Sequence, residues 1–346
     1  MAHFRSKLFF GIKKLYSKQM KKGFWEKLNK PLMVLAPMAD VTDPPYRAII
    51  ARRGKPDVMF TEFVSCDGLQ SVGKKRILKD IVYAEEERPI VLQIFGGKPE
   101  NFKKTAQLAQ ELGFDGIDLN MGCPDRSVEK QLAGAGLIKN PELAQEIIKK
   151  TMEGAGDLPV SVKTRIGYNT DEIQTWIPKL LEMNIPALTV HLRTRKEMSK
   201  VPAHWEKMKE IVAIRDGTCK DTLILGNGDA LSIKDAHQKV KETGCDGVML
   251  GRAIYGNPWL FSKDIDREDL SHEEILRALV EHTKLYDELM GGLKSFAVMK
   301  RHFKAYVNGF DGAKELRMEL MEADSAKEVE EKIENFLTST KTPVIQ

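Results

Sequence analysis

Cys123 has a setting that suits chemistry: in DLNMGCP (118–124) it lies between a glycine, which permits an unusual backbone conformation, and a proline, three residues after Asn120. A lone buried cysteine is usually an inert packing residue, and that reading stands beside the reactive one. In APMADVTDPPYR (36–47), Ala-Pro-Met carries little side-chain bulk and a proline without an N–H. A flat ring can rest on such backbone, although a tight strand-to-helix turn uses the same residues. NGD (227–229) and GRA (251–253) combine glycine backbone with the cation of Arg252, the materials of a phosphate site. The four cysteines (Cys66, Cys123, Cys219 and Cys245) form no C-x-x-C pair and no cluster with histidine, so neither a disulfide framework nor a metal site is expected.

Eight short runs rich in Val, Ile, Leu and Phe carry these groups: MVLAP (33–37), VMFTEF (58–63), IVLQIFG (90–96), GIDLN (116–120), PVSVKTR (159–165), ALTVHLR (187–193), LILGNGD (223–229) and GVMLGRA (247–253). Helical patterns lie between them, at Pro99–Leu112, Pro141–Met152, Asp171–Met183, Trp205–Ile214 and Ser232–Thr243. Their ends carry Pro99 and Pro141 in first turns, Ser232 as an N-cap, and Gly113 and Gly244 just past the last turn. Strands alternating with helices and buried on both faces imply a parallel sheet. Eight such units in about 230 residues fit a (β/α)8 TIM barrel better than an open doubly wound sheet, and no G-x-G-x-x-G follows the first run. The polar residues Glu62, Gln93, Asn120, Lys163 with Arg165, His191 with Arg193, Asn227 with Asp229, and Arg252 fall at the carboxyl ends of the runs. Loops converge there in this fold, so one shared site is expected.

From about Ser271 the strand signal gives way to amphipathic helices, which predicts a C-terminal all-α helical domain. The expected division is a basic N-terminal extension (1–30), a barrel (31–265) and a helical domain with tail (266–346). On the second of these helices, expected around Phe296–Val307, Lys294, Lys300, Arg301 and Lys304 fall within about 120° of one another, interleaved with Phe303 and Tyr306. Such a stripe is either a solvated face over an aromatic core or a surface for an anionic partner.

The 346 residues are 42% hydrophobic and 30% charged, which excludes wholesale disorder and a fibrous repeat. No apolar run reaches the ~20 residues of a membrane-spanning helix, and lysines interrupt the start where a secretory signal would be apolar; the reading is a cytoplasmic protein without a membrane segment. The net charge of +4 hides an asymmetry. Residues 1–30 hold nine Lys/Arg against Glu26 alone, and the remainder holds 45 against 49 acids. A basic arm of this kind binds nucleic acid or an anionic membrane surface, or is simply solvated.

Taken together, APMADVTD, LQIFGG (92–97), DLNMGCP, SVKTRIG (161–167), HLRTR..MSKVPAHW (191–205), NGD and GVMLGRAIYGNPWLF (247–261) resemble, in order and spacing, the tRNA-dihydrouridine synthase family, flavin enzymes that reduce specific uridines in tRNA. The resemblance runs from about Pro31 to Glu322. It implies FMN held by Pro37, Met38 and Ala39 under the ring, by Gln93, Lys163 and His191 at its polar edge, and by Asn227, Gly228, Asp229, Gly251 and Arg252 at its phosphate. It makes Cys123 the proton donor and Asn120 a residue that places the uracil, with NADPH or NADH as reductant. A cation such as Lys163 suits the anionic reduced flavin. A thiol of pKa about 8.5 is mostly protonated at neutral pH and can supply the proton that C5 needs once C6 has taken hydride. The resemblance also gives Lys294, Lys300, Arg301 and Lys304 to tRNA, and a monomer is expected. The competing readings are an FMN barrel acting on a free pyrimidine, such as a dihydroorotate dehydrogenase, which needs no basic helical domain, and a non-catalytic flavin-bearing tRNA-binding protein, which needs no Cys123. The chain departs from the family pattern at Leu192, at His204 and at Leu132, where glycine is commoner.

Overall fold

In the computed structural model, which describes residues 20–341, each of the eight apolar runs forms a strand of one parallel barrel. The strands are β1 (Leu32–Leu35), β2 (Met59–Phe60), β4 (Ile90–Phe95), β5 (Gly116–Met121), β6 (Val160–Arg165), β7 (Ala187–His191), β8 (Leu223–Asn227) and β9 (Gly247–Leu250), with a two-residue β3 (Val64–Ser65) pairing beside β4. Neighbours follow the order β1-β9-β8-β7-β6-β5-β4-β2. The ring closes where Val34 bridges Val58 and Asp57 N–H donates to the Met33 carbonyl at 2.9 Å.

A period of two decides what each strand offers to either side. Ile90, Leu92 and Ile94 of β4 and Ile117, Leu119 and Met121 of β5 point out into the apolar layer beneath the helices. The alternate positions, Gln93, Asp118, Asn120, Ser161 and Lys163, face the lumen and bond to one another or to lumen groups. The crossover helices Pro99–Glu111, Pro141–Gly154, Ile173–Leu181, Met208–Thr218 and Ile233–Thr243 lie within a few residues of their expected spans. Ser232 caps the last, its hydroxyl accepting from Asp235 N–H at 3.1 Å, and Gly244 ends it in the left-handed region at φ 75°. The link from β2 to β4 is less regular, with two short helices at Cys66–Leu69 and Lys74–Asp80.

The amino-terminal end of the barrel is plugged. Trp25, only 4% exposed on the short turn Gly23–Lys27, packs with Leu32, Val34, Val58, Phe60, Val91, Leu225 and Met249. Lys21, Lys22 and Lys30 pair with Asp157 (3.0 Å), Asp221 (3.1 Å) and Asp246 (2.5 Å), on the segments entering β6, β8 and β9. Residues 1–19, which hold the rest of the arm except Lys27, lie outside the described residues.

After the barrel come helices His272–Met290, Lys300–Tyr306, Ala313–Met321 and Ala326–Lys341, the first opened by a capping box between Ser271 and Glu274. Their apolar faces join the barrel's outer core. Against the helix Pro44–Arg53, His282 stacks on Tyr46 with ring centroids 4.6 Å apart, and Glu281 pairs with Arg53 at 2.5 Å. The helix expected from Phe296 to Val307 is broken into a short turn at Phe296–Val298, started by Ser295, and the helix Lys300–Tyr306. Lys294 therefore precedes the helix, following the Gly291–Gly292 end of the long one.

Candidate active site

At the carboxyl end of the lumen, side chains from three strands, β4, β5 and β6, form a hydrogen-bonded layer. Gln93 donates through Nε2 to Asp118 at 2.7 Å and accepts at Oε1 from Asn120 Nδ2 at 3.1 Å, which fixes the orientation of its amide. Asn120 Oδ1 in turn accepts from the backbone N–H of Gly122 (3.1 Å) and Cys123 (2.9 Å). Asp118 also accepts from the Ser161 hydroxyl at 2.6 Å; burial raises its pKa to about 6 against the pull of its two donors. A chain of bonds thus runs from the barrel core to the Cys123 loop. Ala135 N–H donates to the Cys123 carbonyl at 2.9 Å, and Gly134, at φ 57°, leaves space that a methyl group would lose at 2.7 Å from that oxygen. Arg165 donates to the carbonyls of Gly122 (2.7 Å), Thr194 (3.1 Å) and Met198 (2.9 Å), joining the loops that follow β5 and β7. Burial pushes the Cys123 thiol above its usual range, so it is protonated at neutral pH.

The opposite side of the mouth is cationic. Lys163 Nζ donates to Asn227 Oδ1 at 3.1 Å and, among the described residues, has no carboxylate within ion-pair distance; burial, then Arg165, lowers it to about 8. His191 is held well below its usual pKa by burial and by Arg165, Lys163, Arg193 and Arg252, so it is neutral. Arg193 can only donate to His191 Nε2, 3.0 Å away, so the ring proton sits on Nδ1. Asp229 bonds both Arg193 and Arg252, and its oxygen also accepts from Ala203 N–H at 2.9 Å. Among the described residues, the N–H groups of Gly228, Gly251 and Arg252 find no acceptor. No cluster of His, Cys, Asp or Glu among the described residues could hold a metal ion.

This assembly of a cysteine loop, a buried amide chain and an open cationic rim lies within the reach of a family model described as dihydrouridine synthase, which matches residues 34–341. The chain belongs to the dihydrouridine synthase family. These enzymes are flavin-using oxidoreductases. The chain is 42% identical over 320 residues to a probable tRNA-dihydrouridine synthase of Staphylococcus aureus strain COL, covering 92% of this chain and 96% of that one. It is equally similar to a probable tRNA-dihydrouridine synthase 2 of Bacillus subtilis strain 168, covering 92% and 97%. Among solved structures, 6-hydroxypseudooxynicotine amine oxidase from Pseudomonas geniculata N1 superposes with a TM-score of 0.50 at 13% identity, over 66% of this chain and 46% of that one; the likeness is one of fold.

In this dihydrouridine synthase the residues expected at the site from sequence, from Pro37, Met38 and Ala39 round to Gly251 and Arg252, stand on the loops and strand ends at one rim. The helical cations do not stand together. Lys294 faces Glu62 (3.3 Å), Asp80 (3.3 Å) and Asp40 (3.8 Å), so its charge serves the joint between barrel and helices. Lys300 pairs with Asp324 at 3.2 Å and Arg301 with Asp40 at 3.1 Å, while Lys304 is exposed and has no ion-pair partner among the described residues. The sequence placed Arg165 and Arg193 at the rim without a role and passed over Asp118; all three hold the rim in shape. The H-x-R spacing of His191 and Arg193 on one face of a strand was the available signal. Of the departures, Leu192 is fully buried in the outer core, His204 bonds Glu197 at 2.9 Å, and Leu132 adopts φ 55° on the surface.

Proposed function

We propose that this chain reduces the C5–C6 double bond of uridines in tRNA, using FMN as its flavin and NADPH or NADH as electron source. The observation that carries the reading is Cys123, a protonated thiol on a loop whose backbone N–H groups are held by Asn120, at the mouth of a lumen lined with hydrogen-bond donors. The two relatives are named for this activity. The residues present fit the cofactor: Lys163, the Gln93 amide and His191 Nδ1–H suit a carbonyl-bearing edge that becomes anionic, and the unpaired N–H groups of Gly228, Gly251 and Arg252 suit a phosphate. Pro37, Met38 and Ala39 offer the backbone surface for the ring, and Asn227 and Asp229 position Lys163 and Arg252.

When bound, FMN supplies hydride to C6 of the uracil. The protein's own residues do the rest. Cys123 gives its thiol proton to C5, and the thiolate left behind lies in the field of Arg165 and Lys163 until it regains a proton. Asn120, with its oxygen committed to the loop, turns its remaining N–H toward the uracil. Lys300, Arg301 and Lys304 take part in RNA binding, the first two by exchanging Asp324 and Asp40 for phosphate. The enzyme works in the cytoplasm, where its substrate is, and as a monomer. Incubating the FMN-loaded protein with unmodified tRNA and NADPH, then digesting the RNA for mass spectrometry, should show uridines heavier by two hydrogens. An RNA of unchanged mass, with flavin reduction intact, would overturn this reading.

A further inference from the structure

Four cations occupy six positions of the short helix Lys74–Asp80: Lys74, Lys75, Arg76 and Lys79. Ile77 and Leu78 turn inward, Ile77 covering Gly68, and at 100° per residue Lys75, Arg76 and Lys79 lie within about 100° on the other side. All four cations are exposed, and none has a carboxylate within ion-pair distance among the described residues. Asp80, the acid of this helix, is engaged with Lys294 at 3.3 Å. Lys75, Arg76 and Lys79 line a depression of about 390 Å³ whose far wall is Gly292 and Leu293, just before Lys294. Lys294 also reaches Glu62 and Asp40, and Asp40 N–H donates to Glu62 at 2.5 Å two residues beyond Met38. The basic surface is therefore one ion-pair cluster away from the mouth of the lumen.

We propose that Lys75, Arg76 and Lys79 form a phosphate-binding surface for the RNA substrate on the barrel side of the joint with the helices. The inference rests on the tRNA reading above and goes beyond it, because that reading places RNA contacts on the helical region alone. Charge complementarity decides the occupant. Lys294, Lys300 and Arg301 already face carboxylates of the chain, so phosphate must displace a partner there. Around Lys75, Arg76 and Lys79, phosphate displaces only condensed ions and water, and release of RNA counterions favours binding. The depression is open and unlined by acids, which suits an extended polyanion rather than an enclosed small molecule. An acidic protein would meet the same cations, but a structured RNA already over the mouth brings phosphates past this helix.

The test is the dissociation constant of tRNA measured against salt for the full FMN-loaded enzyme, the triple variant Lys75→Gln/Arg76→Gln/Lys79→Gln, and the charge-retaining Lys75→Arg/Arg76→Lys/Lys79→Arg. At about 0.7 to 0.9 per phosphate contact, the Gln variant should lose roughly 2 to 3 from the slope of log K against log salt. The ratio of wild-type to Gln-variant affinity should then shrink roughly thirtyfold between about 0.05 and 0.2 M salt. The charge-retaining variant should keep the slope, and all three should show the same circular dichroism. An unchanged slope in the Gln variant of an RNA-binding wild type overturns this inference alone, as does loss of slope in the charge-retaining variant. A wild type with no affinity for tRNA overturns the proposed function and this surface with it.

Discussion

The two ends of the barrel use the same strands to opposite purposes. At the amino-terminal end the chain satisfies itself: Trp25 fills the lumen, and Lys21, Lys22 and Lys30 meet acids of the loops that feed the strands. At the carboxyl end, among the described residues, Lys163 has no carboxylate within ion-pair distance, His191 is kept neutral among four cations, and the N–H groups of Gly228, Gly251 and Arg252 face no protein acceptor. Interactions that close on the protein contribute to its stability. Donors for which the protein supplies no acceptor are left to solvent or to a bound anion or carbonyl. One end of the molecule is thus built to hold together, the other to bind.

Four substitutions test that division, beginning with the largest effect. Cys123→Ala should slow tRNA reduction in single turnovers of pre-reduced enzyme by about 10² to 10⁴ while leaving the flavin spectrum and the melting temperature nearly as they were. A fully active variant would make Cys123 a packing residue. At the other end, Trp25→Ala should cost about 3 to 5 kcal/mol in urea unfolding, the usual penalty for emptying a buried aromatic site. Below its lowered transition it should still turn over at the wild-type rate, and a falling kcat there would mean that the two ends are coupled. Arg252→Ala should weaken FMN about 10- to 100-fold by fluorescence titration, the worth of a charged hydrogen bond, with no comparable loss of fold.

The smallest effect is a pH dependence. Burial and Arg165 lower Lys163 from 10.5 to about 8, so the folded chain releases this proton before the unfolded chain does. Between those values the unfolded state binds more protons, and stability linked to Lys163 rises with pH. Below about 8 the buried charge is a burden. Flavin-free Lys163→Met should therefore be more stable than the flavin-free parent at pH 7, and the two should converge as the pH approaches 10.5. Equal stabilities at pH 7, measured by urea melts, would show that the charge is not strained.

All eight strands were legible because burial on both faces leaves unbroken apolar runs, each ending in the polar residues of the rim. The phosphate loops and the Cys123 loop were legible for the same reason: glycine, proline and a polar residue together mark the end of a run. The floor was not, since Trp25 lies in a lysine-rich segment without periodicity. Nor was the fate of Lys294, whose partners Asp40, Glu62 and Asp80 are more than 200 residues away in sequence. Arg165 spends its charge on three backbone carbonyls, and carbonyls have no sequence signature. The free cations at Lys74–Lys79 were visible as letters, but their lack of partners is a fact of three dimensions.

The first strand pairs along its length with the last, Leu32 opposite Gly247 and Leu35 opposite Leu250. A methyl group at residue 247 would stand 2.3 Å from the Leu32 carbonyl oxygen, so the seam shuts on a residue with no side chain. During synthesis β1 emerges more than 200 residues before its partner, and until β9 follows, both sides of the growing sheet are bare edges able to pair with other chains. The proposed cofactor contacts Pro37 and Met38 at one lip of this seam and Gly251 and Arg252 at the other. A ligand spanning both lips binds only the closed ring and draws the nascent chain toward it.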